Sequence, residues 1–76
     1  MNAEERAACL LSIARNILSE CEIGADDDLA ERGVTSLAMI RILAEAARTL
    51  HLDIDPRELD GTVTVRNLAE IGRETS

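Results

Sequence analysis

Apolar residues recur at steps of three and four along most of this chain, the period of helices with one face turned inward. In the first segment Ala7, Leu10, Leu11, Ala14, Ile17 and Leu18 share a face, which predicts a helix from about Ala3 to Ser19. Arg6, Arg15, Asn16 and Ser19 fall between them and are expected to meet water. Asn2, followed by Glu4 and Glu5, supplies an N-cap and negative charge for the first turn. From Glu20 to Arg32 the period is lost and six acids gather around Gly24, so this is a loop, with Ile23 and Leu29 as its apolar anchors. Gly33-Val34-Thr35-Ser36 opens a second helix, running from about Ser36 to Leu50. Its expected buried stripe is Leu37, Ile40, Leu43, Ala44, Ala47 and Leu50, with Met39, Ile42 and Ala46 alongside, so the helix is apolar over much of its circumference. Asp55-Pro56-Arg57-Glu58 is a compact start signal for a turn or two of helix, soon stopped by Gly61. Thr64 caps a last helix whose Val65, Leu68, Ala69 and Ile71 face inward, with fraying expected near Gly72. No stretch alternates long enough for a strand; Ile54 and Thr62-Val63 are too short. The fold expected is all-α, a small four-helix bundle of three main helices and one short one, forming a single domain over residues 1–76.

Composition narrows the setting. The 76 residues include no Phe, Tyr or Trp, and the hydrophobic content of 46% must build a core from aliphatic side chains. Length allows one small domain. The net charge of −7 argues against nucleic acid or an anionic membrane as the main partner. It favours basic protein surfaces instead. The longest wholly apolar run, Ala7 to Leu11, is far too short to span a bilayer. No cationic leader is written at the start, and the expected location is cytoplasmic. Cys9 and Cys21 are expected to be reduced thiols there, held apart by the first helix.

Catalytic chemistry finds little to work with. His51 is the only imidazole, and no Ser, Cys or Asp stands at a local spacing that suggests a triad; past the last turn of the second helix it is expected to be a solvated cap. One His and no close Cys pair exclude a zinc site. Asp26-Asp27-Asp28 lacks the spacing, the Gly and the terminal Glu of a calcium loop, so no metal is expected. The four Gly are scattered, with no phosphate-binding loop. Ser36 is different: it stands where a loop meets a helix N-terminus, and backbone N–H groups and the helix dipole there favour a phosphate ester. Thr35 and Ser36 are equally ordinary N-cap residues, and capping alone would account for both.

The wider pattern adds to this. Asp28-Leu29-x-x-x-Gly33-Val34-Thr35-Ser36-Leu37-x-x-Ile40-Arg41-Ile42 resembles the modification site of acyl and peptidyl carrier proteins, in which a Ser at the start of the second helix carries a 4′-phosphopantetheine arm. The resemblance extends over nearly the whole chain, through the long acidic loop, the Asp55-Pro56 start and Thr64-Val65. It implies that Ser36 is the attachment residue for an arm taken from coenzyme A. It also implies that Thr35, Leu37, Met39, Ile40 and Arg41 belong to the surface partner enzymes use. The implied partners are a phosphopantetheinyl transferase, an acyl- or aminoacyl-loading enzyme and synthase or transferase enzymes, visited by a monomeric carrier that is not itself an enzyme. Two departures matter. Thr35 replaces the Asp that fatty-acid carriers place before the Ser, and the second helix holds Arg41 and Arg48 against one acid, Glu45. The doubled Gly of peptidyl carriers is also missing. The chain falls between the subtypes and looks free-standing, which suits polyketide, nonribosomal peptide or hybrid assembly.

Two readings compete with it: a fatty-acid acyl carrier, and an unmodified helical adaptor that docks through Leu37, Met39, Ile40 and Ile42. The missing aromatics deprive any docking surface of the usual hot-spot anchors, which suits brief contacts.

Overall fold

A computed structural model describes residues 1–19, 22–59 and 61–75. Helix α1 spans Ala3–Ile17, α2 spans Ser36–Leu50 and α3 spans Val65–Ile71. A 3₁₀ turn occupies Pro56–Glu58, and two short strands, β1 (Leu52–Asp53) and β2 (Arg73–Glu74), pair antiparallel. α1 packs against both α2 and α3. The expected fourth helix is thus a single 3₁₀ turn. Asp55 accepts from the Arg57 N–H at 3.0 Å, but the chain leaves helical geometry at Leu59.

Caps set the boundaries. The Asn2 side chain accepts from the Glu5 N–H at 2.8 Å, and the buried Thr64 hydroxyl accepts from the Asn67 N–H at 3.0 Å. α1 stops at Ile17, two residues before the expected end, where Leu18 leaves the helical region while its N–H still bonds to the Ala14 carbonyl. His51 closes α2 in the left-handed conformation at φ 53° and is exposed, as a solvated cap should be. The chain does not fray at Gly72. Gly72 is buried against Ile54, and the following residues form β2, with the Thr75 N–H donating to the His51 carbonyl at 2.7 Å. Two-residue strands carry no periodicity, so the pattern could not announce them.

The core is aliphatic, as composition required: Leu10, Leu29, Ile42, Leu52, Val65 and Leu68 are its largest fully buried side chains. On α1 the expected face is the observed one, with Ala7, Leu10 and Ala14 buried. On α2 the phase is different. Ile42 and Ala46 are buried, Met39, Leu43 and Leu50 pack beside them, and Ala44 and Ala47 are exposed. Leu37 and Ile40, expected inside, are 68% and 61% exposed. Two apolar stripes on one helix compete for the same core. The side chains of α1 and the long loop select the stripe centred on Ile42 and Ala46, a tertiary choice that periodicity does not contain.

The loop between α1 and α2 is held closely. Ile23 and Leu29 are buried as expected. The Arg15 Nε donates to the Ile23 carbonyl, the Leu29 N–H to the Val63 carbonyl and the Arg66 N–H to the Ala25 carbonyl, each at 3.0 Å. Each aspartate has its own structural task. Asp26 pairs with Arg66 at 2.6 Å, Asp27 accepts from the Gly24 N–H at 2.7 Å and faces Arg32, and Asp28 accepts from the Ala30 N–H at 2.9 Å. Among the described residues no group of side chains could hold a metal ion. Cys9 is a free, half-buried thiol, whereas Cys21 lies outside the described residues.

Candidate functional site

The loop delivers the chain to α2 through a fixed approach. Asp28 caps a turn, the Gly33 N–H donates to the Ala30 carbonyl at 3.1 Å, and Gly33 takes φ +81°. The Val34 N–H then returns to the Leu29 carbonyl at 3.0 Å, which ties the last loop residues to a buried anchor. Ser36 therefore projects from a supported helix start.

Capping is assigned unambiguously. The Thr35 Oγ1 accepts from the Ala38 N–H at 3.1 Å, and the Met39 N–H donates to the Thr35 carbonyl at 2.9 Å to begin the helical ladder. Thr35 is the N-cap and Ser36 the first helical residue. Ser36 is exposed, and among the described residues no hydrogen bond engages its hydroxyl. Helical geometry leaves the Ser36 and Leu37 N–H groups without intrahelical partners. The positive end of the dipole lies at the same place. A phosphodiester at this oxygen would replace no existing contact and would gain favourable electrostatics.

The exposed residues beside Ser36 form one face. Ile40 lies one helical turn beyond it, and Leu37 and Arg41 flank Ile40, all open to solvent. Half-buried, Met39 lines together with Ile40 a shallow, mainly apolar groove running from Ser36 between Val34, Leu43, Pro56 and Val63. Periodicity does not mark Pro56 and Val63 as walls of this groove, because only the tertiary fold brings the 3₁₀ turn and the segment after it against α2. Thr35 belongs to the site through its cap. Of the adaptor strip proposed from the sequence, Ile42 is buried and Met39 half-buried, which leaves only Leu37 and Ile40 on the surface.

Among the described residues no hydrogen-bonded catalytic constellation forms around Ser36. His51 sits at the far end of α2, about 22 Å away along the axis. Part of the loop's acidity is tied to arginines. Asp26, Asp27 and Asp28 are spent on ion pairs and backbone groups, and the Arg66 guanidinium bonded to Asp26 holds its carboxyl below the usual aspartate range. Glu22 and Glu31 are the exposed acids that remain in the described part of the loop.

An exposed serine with a free hydroxyl at a helix start, on a small helical scaffold, is a place where a group could be attached. A family model described as "phosphopantetheine attachment site" matches residues 10–71. The chain belongs to this family: it is a carrier domain of the acyl and peptidyl carrier type, to which 4′-phosphopantetheine is attached covalently. Carrier domains of this kind are non-catalytic and work with phosphopantetheinyl transferases and synthase enzymes. No curated protein and no solved structure matched the chain significantly. No described helix is long and apolar enough to cross a membrane.

Proposed function

We propose that Ser36 is the attachment residue, and that the chain serves as a discrete, monomeric, cytoplasmic carrier of acyl or aminoacyl thioesters. The observation that carries this reading is the division of labour at the start of α2: Thr35 does the capping, so the Ser36 hydroxyl has no other task. In the modification step the Ser36 Oγ attacks the phosphorus bearing the pantetheine of coenzyme A. A P–O bond forms, adenosine 3′,5′-bisphosphate leaves, and the serine proton passes to a base of the transferase. The thiol at the end of the arm supplies the thioester chemistry, while cargo activation and transfer belong to the visiting enzymes. This chain contributes the support of Thr35 and the buried Leu29 anchor behind Ser36, and a high effective concentration of cargo at each enzyme visited.

The same reading assigns Leu37, Ile40 and Arg41 to the partner surface, with Thr35 and Met39 at its edge. Polyketide or nonribosomal peptide assembly is favoured over primary fatty-acid synthesis by Thr35 before the serine and by a second helix with two Arg against one Glu. Incubation with coenzyme A, Mg²⁺ and a broad-specificity phosphopantetheinyl transferase should add one arm, seen by intact mass. Ser36→Ala should abolish the addition and Thr35→Val should retain it. Addition that survives Ser36→Ala, or no addition with any of several transferases, would refute the assignment. Intact mass of the protein from its native producer would then identify the cargo class.

A further inference from the structure

Arg41 is the one exposed arginine among the described residues with neither a hydrogen bond nor an ion pair. Arg15 is tied to the Ile23 carbonyl, and Arg32, Arg48, Arg57, Arg66 and Arg73 each hold a carboxylate. The acid nearest along the helix, Glu45, is taken by Arg48. Arg41 also stands in a particular place. Five residues beyond Ser36, it lies about 7.5 Å along the axis from it. On one side it borders the exposed Leu37 and Ile40, and on the other it lines a groove with Ile13, Asn16 and Ile17 of α1 and with Glu45 and Thr49 of its own helix, the Glu45 carboxylate there being paired with Arg48. An enzyme whose active centre reaches the Ser36 oxygen must cover the first two turns of α2, and Arg41 goes under that footprint. A guanidinium desolvated without a partner is strongly unfavourable.

We propose that the enzyme surface docking here presents a carboxylate to Arg41, set beside an apolar pocket that takes Leu37 and Ile40. The partner chemistry is thus the reverse of what the net charge of −7 suggests. Two of the loop acids, Asp26 and Asp27, are held by Arg66 and Arg32, and on the first two turns of α2 Arg41 is the one charged side chain beside the apolar Leu37 and Ile40. Asn16, across the groove on α1, offers a neutral amide to the same carboxylate, so the footprint reaches beyond α2 onto the second half of α1. The inference rests on the carrier reading, since it takes Ser36 as the point an enzyme must reach.

The test uses the full chain and a phosphopantetheinyl transferase. Wild type, Arg41→Glu, Arg41→Lys and Arg41→Ala are compared by the rate of arm addition, by transferase affinity of the same variants in a Ser36→Ala background, and by CD for folding. Arg41→Glu is expected to lower kcat/KM and affinity about 30-fold or more with the CD spectrum unchanged. Arg41→Lys should recover most of the loss. Reversing the charge of individual acids on the transferase face should identify one whose Asp→Arg or Glu→Arg change restores Arg41→Glu. Wild-type rate and affinity in Arg41→Glu, or faster modification, would overturn the docking inference while leaving the carrier reading intact. Absence of any arm on the wild-type chain would instead remove the carrier reading, and this inference with it.

Discussion

Ile40 and Ile42 are the same residue two positions apart on α2, and the structure assigns them opposite surroundings. Ile42 is 1% exposed and Ile40 is 61% exposed. Truncating Ile42 to Ala removes buried methyl groups and leaves a cavity among Leu10, Leu52 and their neighbours in an aliphatic core, at a cost of about 2–5 kcal/mol. Truncating Ile40 loses only the covered two-fifths of its surface, about 1 kcal/mol on the scale for full burial. Alanine's better helix propensity returns up to about 0.5 kcal/mol of that. The expected difference between the two variants is about 1–4 kcal/mol. A domain of this size has a total stability of about 4–11 kcal/mol, so Ile42→Ala removes a large share of it. At about 4–8 °C per kcal/mol, Ile42→Ala should melt at least about 8 °C lower, whereas Ile40→Ala should stay within about 4 °C of wild type. Lacking Trp and Tyr, the chain is best followed by far-ultraviolet CD in urea and heat, with concentrations from amino-acid analysis. Equal costs at the two positions, or a larger cost at Ile40, would show that α2 is rotated and would remove the exposed face on which the docking argument stands.

Other outcomes follow from the caps, the loop and its ion pairs. Thr64→Ala removes the acceptor for the Asn67 N–H and should cost about 1–2 kcal/mol in urea unfolding, with Thr64→Ser recovering most of it. Gly33→Ala meets no clash but must hold an L-residue at φ +81°, and should cost about 1–2 kcal/mol. Hydrogen bonds from Arg66 and Arg57 lower the carboxyls of Asp26 and Asp55 in the folded state. The unfolded chain therefore binds more protons as pH falls below about 4, and the stability these pairs give at neutral pH is lost across and below that range. Melting temperature against pH should show a shallower acid decline in Asp26→Asn than in wild type; an unchanged slope would show that the Arg66 pair is not formed in solution.

The legible parts of this fold were those governed by local chemistry. Asn2, Asp55 and Thr64 act as caps where the letters placed them, and α1 buries the expected face because only one of its faces is apolar. The loop anchors Ile23 and Leu29 were legible as lone apolar residues among acids. What failed was each feature decided by tertiary contact. Helix α2 offers two apolar stripes, and the choice between them depends on what α1 and the loop present to it. The β1–β2 pairing joins residues about twenty apart in sequence through strands of two residues each, and leaves no periodic trace. Ser36 itself was visible as a candidate from its position, but Thr35 and Ser36 were interchangeable as caps on paper. Only the bond from the Ala38 N–H to the Thr35 oxygen separates them.

That bond bears on the departure at residue 35. A Thr cap keeps the helix start in place without adding charge beside the serine, so on α2 the local field at Ser36 is left to the helix dipole and to Arg41, five residues beyond it. Both contributions are positive. Two of the loop acids are held by arginines, Asp26 by Arg66 on α3 and Asp27 by Arg32, while Glu22 and Glu31 stay exposed on the loop rather than on α2. Such an arrangement accommodates a phosphodiester at Ser36 and rejects a partner that brings further positive charge to the same face. Thr35→Asp should therefore keep the cap and fold while shifting partner preference toward enzymes with basic docking surfaces. Compared across transferases with basic and with acidic docking faces, Thr35→Asp should gain kcat/KM on the first group and lose it on the second. Equal changes on both groups would mean that charge at this face does not select the partner.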